Sequence, residues 1–286
     1  MATAVIKDHA SQKRRNFISK FLIYFFLIVI TACMLLPFLW MLSSSFKLNK
    51  DVFGFPIQWI PKNPRWQNYV DIWTQIPLLT FVKNTVKITV VVTLLQLFTS
   101  SFAAYAFAKM QFKGKNALFL GYIATIAVPW QAYMVPQFMM MSSWHLNNTH
   151  LAIMCLQAFS AFGVFLMKQF SEGIPTEMLE AARIDGASEA KTFIDIVLPM
   201  VKPGIGALAI FTFINSWNDY FMQLIMLSST SNLTISLGIA KLQAENSTDF
   251  GLIMAGAALA AVPIIIIFLI FQKYFTKGIA MGAVKG

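Results

Sequence analysis

Six long apolar runs alternate with shorter polar segments along this chain. The first run, 21–41, has 21 residues and contains no Lys, Arg, Asp or Glu. About 20 residues of helix, at ~1.5 Å rise per residue, cross the ~30 Å apolar core of a bilayer. We therefore predict an all-α, polytopic membrane protein with six transmembrane helices. The predicted spans are 21–41, 88–108, 117–141, 151–167, 204–227 and 250–271.

Two of these runs depart from a plain transmembrane pattern. Pro129 and Pro136 interrupt the run 117–141, and a proline inside a helix removes a backbone donor and clashes with the preceding turn. We therefore predict a kinked or broken third span, in which neighbouring helices satisfy the freed carbonyl groups. The fourth run, 151–167, has only 17 residues and lies near the lower limit for a span.

The connection 43–83 is polar and contains four prolines and three tryptophans. Prolines at this density predict irregular structure with short interfacial helices, and we expect the segment to lie outside the cell. Its aromatic residues are explained either by an interfacial belt or by a platform for an external protein.

A second polar stretch, 171–203, separates the fourth and fifth runs and holds six of the twelve acidic residues. Pro175 is suited to open a helix, where its missing N–H costs nothing. Good helix formers follow as far as Ile184. Gly186 can adopt the left-handed conformation that ends a helix. The pattern therefore predicts one short helix followed by a sharp turn.

A second short helix is predicted directly after that turn. Ser188 is a favoured N-cap residue, and the residues 189–197 are compatible with a helix. Pro199 is expected to close it, because proline cannot continue a regular helix. We thus expect a helical hairpin between the fourth and fifth spans.

The first helix of the hairpin has a face that is suited to docking. Ala181 and Ala182 leave this face without bulk, so another backbone can approach closely. Glu180 and Asp185 place negative charge beside it. An ordinary surface hairpin explains the same composition equally well, so both interpretations stand at this point.

Composition and charge support a membrane protein and set its orientation. Hydrophobic residues make up 57% of the chain and charged residues only 12%, against ~25% charged in typical soluble domains. Of the 22 Lys and Arg residues, 15 fall in segments predicted to be cytoplasmic and 7 in external ones, as the positive-inside rule requires. The net charge of +10 thus follows from topology and does not indicate nucleic acid.

Motifs for chemistry are absent from the sequence. Gly114 and Lys115 are followed by Asn116, and no glycine precedes them at the spacing of a phosphate-binding loop. There is no G-x-S-x-G nucleophile motif. His145 and His150 are five residues apart, so one helical face does not present both as a metal-binding pair. We predict a non-catalytic chain without a metal site.

Within 171–203 the residues also follow a spaced motif. Gly186 lies four residues after Ala182, and a Leu-Pro pair begins twelve residues after Gly186. This run resembles the EAA loop of ABC importer permeases, which sits in a cleft on the cytoplasmic ATPase subunit. The resemblance implies that the ATPase-docking residues are Glu180, Ala181, Ala182, Asp185, Gly186, Ala187, Leu198 and Pro199.

The resemblance covers nearly the whole chain. Residues 44–47, 103–109 and 217–218 are similar to the smaller six-span permease of maltose-type sugar importers. The resemblance implies three kinds of partner. They are a second, larger permease, two copies of an ATPase subunit that hold ATP and Mg²⁺, and an external sugar-binding protein. This chain would then carry no cofactor and lie in the bacterial cytoplasmic membrane with both termini cytoplasmic. The tail residues implied to reach the ATPase interface are Gly282, Ala283, Val284, Lys285 and Gly286.

These expectations divide the chain into four regions. A cytoplasmic N-terminus precedes the first span with its external loop, a core permease domain that contains the loop 171–203, and a cytoplasmic tail. The expected boundaries are 1–20, 21–83, 84–272 and 273–286.

Polar residues within the predicted spans are candidates for the substrate pathway. Asp219 is the only carboxylate inside a predicted span, and an ionised side chain in a bilayer carries an energetic cost. Sugars need amide or carboxylate partners for their hydroxyls and an aromatic face for stacking, whereas ordinary helix-to-helix hydrogen bonds explain the same residues. The candidates are Gln131, Asn215, Trp217, Asn218, Asp219 and Tyr220.

Three other functions are alternatives to sugar import. An ion- or proton-coupled secondary carrier predicts several ionisable residues in the spans and often two related halves. A membrane-embedded enzyme needs a nucleophile, a carboxylate pair or metal ligands in the spans. Import of a non-sugar solute through an ABC permease is the third alternative.

Overall fold

The computed structural model describes residues 2–245 and 249–283, and every regular element in these ranges is helical. The all-α class is therefore confirmed for this part of the chain. Short 3-10 turns and one π-helical turn connect some of the helices. The α-helices are α1 Ala2–Ser45, α2 Asn49–Val52, α3 Gln67–Gln75, α4 Leu78–Lys109, α5 Lys115–Ala124, α6 Met134–Ser143, α7 His150–Gln157, α8 Ala161–Glu172, α9 Thr176–Ile184, α10 Glu189–Thr192, α11 Leu198–Met200, α12 Lys202–Asn218, α13 Phe221–Met226, α14 Ile235–Glu245 and α15 Phe250–Ala283.

The chain divides into two compact units. The first comprises Met1–Ile72 and Ser247–Ala258, and the second comprises Trp73–Asn246 and Leu259–Gly286. In the first unit the side chain of Asn68 donates to the backbone oxygens of Ser45 at 2.9 Å and Lys47 at 3.0 Å. These bonds fasten the connection after α1.

Lys47 in the first unit is buried, and its ammonium group lies 4.3 Å from the centroid of the Trp40 ring. Burial lowers the pKa of Lys47, and the nearby Asp51 carboxylate partly offsets that shift. The two short helices α2 and α3 fall within 43–83, where short helices were predicted.

Helix α4 is the central helix of the second unit and packs against α7, α8, α12 and α14. It begins ten residues before the predicted start of the second span at 88. The reason is that Lys83 and Lys87, four residues apart, share an exposed side of the helix, while Phe81 and Thr85 are buried on another side. Charged residues therefore extend the helix without entering its packed face.

Three helices are long and apolar enough to cross a membrane: Phe17–Ser45, Leu78–Lys109 and Phe250–Lys273. Two bent pairs also qualify if each pair is taken as one span. These are His150–Gln157 with Ala161–Glu172, bent by 42°, and Glu189–Met200 with Lys202–Asn218, bent by 78°. The structure thus supports a multi-pass membrane protein, with three to five candidate spans among the described residues.

The third predicted span is broken, as its prolines indicate. Helix α5 ends at Ala124, and 3-10 turns at Thr125–Ala127 and Trp130–Ala132 flank Pro129 before α6 begins at Met134. Pro136 lies within the first turn of α6, where a missing N–H breaks no helical hydrogen bond. Only Pro129 therefore marks the interruption.

The fourth predicted span is not one helix, because α7 and α8 are separated at 158–160. Gln96 of α4 donates to the backbone oxygen of Gln157 at 2.7 Å, and Thr99 of α4 donates to that of Ala158 at 2.9 Å. The side chain of Ser160 accepts from the backbone nitrogen of Gly163 and caps α8. The backbone oxygens of Gln157 and Ala158 and the first free N–H of α8 therefore have hydrogen-bond partners, although the helix is interrupted here.

Local signals in the loop 171–203 agree with the prediction except at Pro199. Gly186 has φ of +81°, and the Ser188 side chain accepts from the Lys191 nitrogen to cap α10. The prediction that Pro199 closes the second helix is wrong, because the helical path runs on to Met200. A π-helical turn over Phe193–Val197 widens the helix, and Pro199 then falls in the first turn of α11.

Candidate functional site

The loop 171–203 is mounted on the helices of the second unit through a shared apolar core. Tyr105 of α4, Met167 of α8, Leu179 of α9 and Leu208 of α12 are all buried in this one cluster. Phe193 belongs to the same cluster and packs edge-on against the Phe102 ring. Displacement of the loop therefore displaces side chains that hold α4, α8 and α12 together.

Helix α9 presents a mixed acidic and apolar stripe away from this core. Leu179 and Ala182 are buried, whereas Glu177, Glu180, Ala181 and Ile184 are exposed. The spacing of these four residues, i, i+3, i+4 and i+7, places them on one side of a helix. We call them the α9 stripe. Ile184 is 86% exposed, so its apolar surface is accessible to a partner.

The remaining candidate docking residues lie at or near the surface of the loop. Asp185, Gly186 and Pro199 are exposed, and Ala187 and Leu198 are half-buried. Ala182 differs, because it is buried within the chain and does not share a bare face with Ala181. The expected alanine face is therefore divided between the core and the surface.

A charged hydrogen-bond network connects the hairpin to α4. The hydroxyl of Tyr105 donates to Oε2 of Glu189 at 2.5 Å. Arg183 Nε donates to the other carboxylate oxygen, Oε1, at 2.8 Å. The hydrogen bond and charge of Glu189 raise the pKa of Arg183 above its ordinary value. The network thus links α4, α9 and α10 through three side chains.

The end of α4 provides a second attachment point for the loop. Lys109 Nζ donates to the backbone oxygen of Ile174 at 2.6 Å and to that of Glu172 at 3.3 Å. Glu172 is the last residue of α8, so its oxygen is a free helix-end carbonyl that a cation stabilises, and Ile174 follows two residues later. This role of Lys109 was not predicted from the sequence.

A polar cavity of about 410 Å³ opens among the helices of the second unit. Its carboxylate, Asp219, accepts from Gln157 Nε2 at 2.6 Å and from the Met222 backbone nitrogen at 3.3 Å. These bonds fix the carboxylate at the junction of α12 and α13. The lining residues are Val92, Gln96, Trp130, Gln157, Ser160, Phe162, Phe211, Thr212, Asn215, Ser216, Asp219, Phe221 and Met222.

The structure brings two of the six predicted pathway residues to this cavity, Asn215 and Asp219. Trp217 is not a sugar-stacking platform here: it is only 1% exposed, and its indole N–H donates to the Ala260 oxygen at 3.1 Å. The other three predicted residues do not line the cavity. They are Gln131 and Asn218, both exposed, and Tyr220, which is half-buried.

Five polar lining residues were not predicted from the sequence as pathway residues. Gln96 and Gln157 are single amides in apolar runs, Ser160 caps α8, and Thr212 and Ser216 lie four residues apart on α12. Thr212 donates to Gln96 Oε1 at 3.0 Å, so α4 and α12 share a polar contact here. The signal for them in the sequence is the presence of uncharged polar residues inside the apolar runs.

Two further predictions concern metals and the tail. In the described part of the chain no group of three His, Cys, Asp and Glu residues is arranged to hold a metal ion. His150 Nε2 lies 2.9 Å from the Asn232 oxygen. Of the predicted tail residues, Gly282 and Ala283 belong to α15, and the other three, Val284, Lys285 and Gly286, lie outside the described residues.

Long apolar helices, a polar loop mounted on them and an interior polar cavity define a multi-pass membrane permease. The chain belongs to the family of binding-protein-dependent transport system inner membrane components, whose model matches residues 10–281. The family assignment is consistent with a non-catalytic transport component.

Individual relatives agree with this family. The arabinooligosaccharides transport system permease protein AraQ of Halalkalibacterium halodurans is 34% identical over 253 residues, which are 87% of this chain and 91% of that protein. The melibiose/raffinose/stachyose import permease protein MelC of Bacillus subtilis is 34% identical over 265 residues, 91% of this chain and 95% of that protein.

A solved structure shares the fold. It is a chain of a bacterial ABC transporter involved in the import of the acidic polysaccharide alginate, with a TM-score of 0.80. The match covers 92% of this chain and 98% of that chain at 23% sequence identity. The likeness therefore concerns the arrangement of the helices.

Proposed function

We propose that this chain is one of two permease subunits of an ATP-driven importer for a sugar or oligosaccharide. Its family is named for dependence on a binding protein, and the relatives AraQ and MelC are named as permeases for oligosaccharides. An external sugar-binding protein delivers the substrate, and a second, larger permease completes the pathway. The family assignment favours this function over a secondary carrier or a membrane enzyme.

The proposed topology has six spans and two cytoplasmic termini in a bacterial cytoplasmic membrane. Three of the six crossings are the single helices α1, α4 and α15. The other three are the α7–α8 pair, the broken α5–α6 segment and α12 with α13. The large apolar side chains described in α1 from Phe17 to Leu39 are 42–72% exposed, as contact with lipid requires. With this topology the loop 171–203 is cytoplasmic.

The observation that carries the proposal is the α9 stripe and its rigid mounting. Two copies of a cytoplasmic ATPase subunit bind ATP and Mg²⁺, and one of them receives the stripe together with the exposed turn at Asp185 and Gly186. The buried side of α9 belongs to the core that also holds α4, α8 and α12. Closure of the ATPase subunits therefore moves the loop and the helices together, and the pathway changes the side to which it opens.

The test is a charge reversal on the stripe, Glu180→Lys, in the complete transporter reconstituted in vesicles. Loss of an exposed acidic contact to the ATPase is expected to lower ATP-dependent sugar uptake at least tenfold while membrane insertion is retained. Lys62→Glu is the control charge reversal, because Lys62 is also exposed but lies in the connection after α1. Normal uptake and normal co-purification of the ATPase with Glu180→Lys would show that the stripe does not dock.

A further inference from the structure

We propose that the polar cavity is a binding subsite for uncharged sugar units and that Asp219 makes it reject acidic ones. This inference rests on the proposed importer function and adds the charge class of the substrate. The volume of about 410 Å³ falls within the ~300–1,000 Å³ range of small-molecule pockets. The lining combines amides, hydroxyls, one carboxylate and aromatic rings.

The carboxylate is positioned before any sugar arrives. Gln157 and the backbone nitrogen of Met222 each donate to one oxygen of Asp219. A carboxylate has about four lone-pair sites, so each oxygen keeps capacity for a sugar hydroxyl. Hydrogen bonds to an ionised acceptor are roughly twice as strong as neutral ones, which suits a polyhydroxylated ligand.

Other polar groups line the cavity beside Asp219. Ser216 is one of them, and its hydroxyl oxygen lies buried in the cavity wall. Asn215 is exposed on the same wall, one residue before it. A sugar hydroxyl can both donate and accept, so it satisfies a hydroxyl and an amide equally well. The cavity thus offers the mixed donors and acceptors that a sugar ring matches.

An aromatic side is also held in place. The Trp130 indole N–H donates to Gln137 Oε1 at 2.8 Å, which fixes the ring at the cavity. Phe162 and Phe211 lie nearby on the lining and pack edge-on against each other with centroids 5.4 Å apart. The C–H face of a pyranose or furanose packs on such rings, because apolar area is removed from water.

The charge selection follows from what the lining lacks. Asp219 is the only ionisable residue among the described residues that line the cavity, and no Lys or Arg is found with it there. A carboxylate-bearing sugar therefore meets a like charge without a compensating cation, and the energy of that repulsion grows as water is displaced. The alginate transporter shares this fold and is described as an importer of an acidic polysaccharide, so fold alone does not set the charge class.

The experiment is saturation-transfer NMR on the purified permease–ATPase complex in detergent, without binding protein. The neutral probes are raffinose and arabinotriose, and the acidic probe is trigalacturonate. Wild-type protein is expected to give at least fivefold stronger signals with a neutral probe than with the acidic one. Equal signals from the two classes, or no signal from either neutral probe, would overturn the subsite.

Two variants separate the charge from the shape of the cavity. Asp219→Asn retains a side-chain oxygen that can accept from the Met222 nitrogen and is expected to raise the trigalacturonate signal at least fivefold. Asn215→Lys supplies a cation from an exposed position and is expected to do the same, a gain that misfolding cannot produce. The control is Gln75→Lys, an exposed residue of α3 off the lining, which should leave the signals unchanged. If the trigalacturonate signal rises in neither of the two cavity variants, the proposed charge selection is wrong.

A parallel uptake assay keeps this inference distinct from the proposed function. ATP-dependent uptake by the wild-type transporter together with unselective NMR signals would reject the subsite and leave the importer function intact. Absence of any ATP-dependent sugar uptake would reject the importer function itself.

Discussion

The hydroxyl of Tyr105 offers the sharpest test of how the hairpin is attached to α4. Tyr105→Phe removes the 2.5 Å hydrogen bond to Glu189 and preserves the ring that packs at 5.5 Å from the Phe193 centroid. Hydrogen bonds to charged groups contribute about 1.5–3 kcal/mol. Because the Glu189 side chain is 44% exposed, we take the lower end, about 1.5 kcal/mol.

A loss of about 1.4 kcal/mol makes local opening tenfold more frequent, and amide exchange reports such opening directly. We therefore expect amides of α10 to exchange about tenfold faster in Tyr105→Phe when measured by hydrogen–deuterium exchange mass spectrometry. The same variant should hydrolyse more ATP per sugar imported, because the loop then moves without α4. Both readouts have the same cause, so they should change together.

Tyr122→Phe is the matched control, since the Tyr122 hydroxyl makes no hydrogen bond among the contacts described for the chain. It should leave α10 exchange unaltered. Equal exchange in Tyr105→Phe and wild type would refute the reasoning, whatever happens to transport. Faster exchange with normal coupling would instead show that the network stabilises the loop without transmitting its motion.

Two other predictions concern packing and the break in the fourth span. Gly163→Ala places a Cβ 2.4 Å from Ser100 Oγ, and such overpacking typically costs about 1–3 kcal/mol, so the thermal midpoint of the detergent-purified complex should fall. Adding Ser100→Ala should recover most of the loss, and no recovery would place the strain elsewhere. Gln96→Leu removes the donor to the Gln157 oxygen and the acceptor of the Thr212 hydroxyl, at a cost of about 1–3 kcal/mol. Its midpoint should also fall, and an unchanged midpoint would mean that water satisfies the freed groups.

Local chemistry explains why parts of the structure were predictable from sequence. Gly186 takes a left-handed conformation that few other residues tolerate, and Ser188 has a short hydroxyl that reaches the next turn. Pro129 lacks a donor wherever it is placed. Each of these effects acts within a few residues, so a single sequence contains them. The apolar runs were predictable for the same reason, because bilayer thickness sets their length.

The missed features depend on contacts between distant segments. The break at 158–160 is stable because Gln96 and Thr99, about 60 residues earlier, donate to its carbonyls. The burial of Ala182 and Trp217 depends on which neighbour covers each helix face. Hydrophobic periodicity shows that a face is apolar but does not say whether lipid, protein or a cavity lies against it.

Helix α4 fastens its neighbours largely through their main chain. The side chain of Asn84 donates to the backbone oxygens of Ser231 and Leu233. At the other end of α4, Lys109 donates to the backbone oxygens of Glu172 and Ile174. A main-chain acceptor is present whatever amino acid occupies the position. Mutations in the tethered segments therefore leave these anchors intact, so those segments can diversify while the frame around α4 persists.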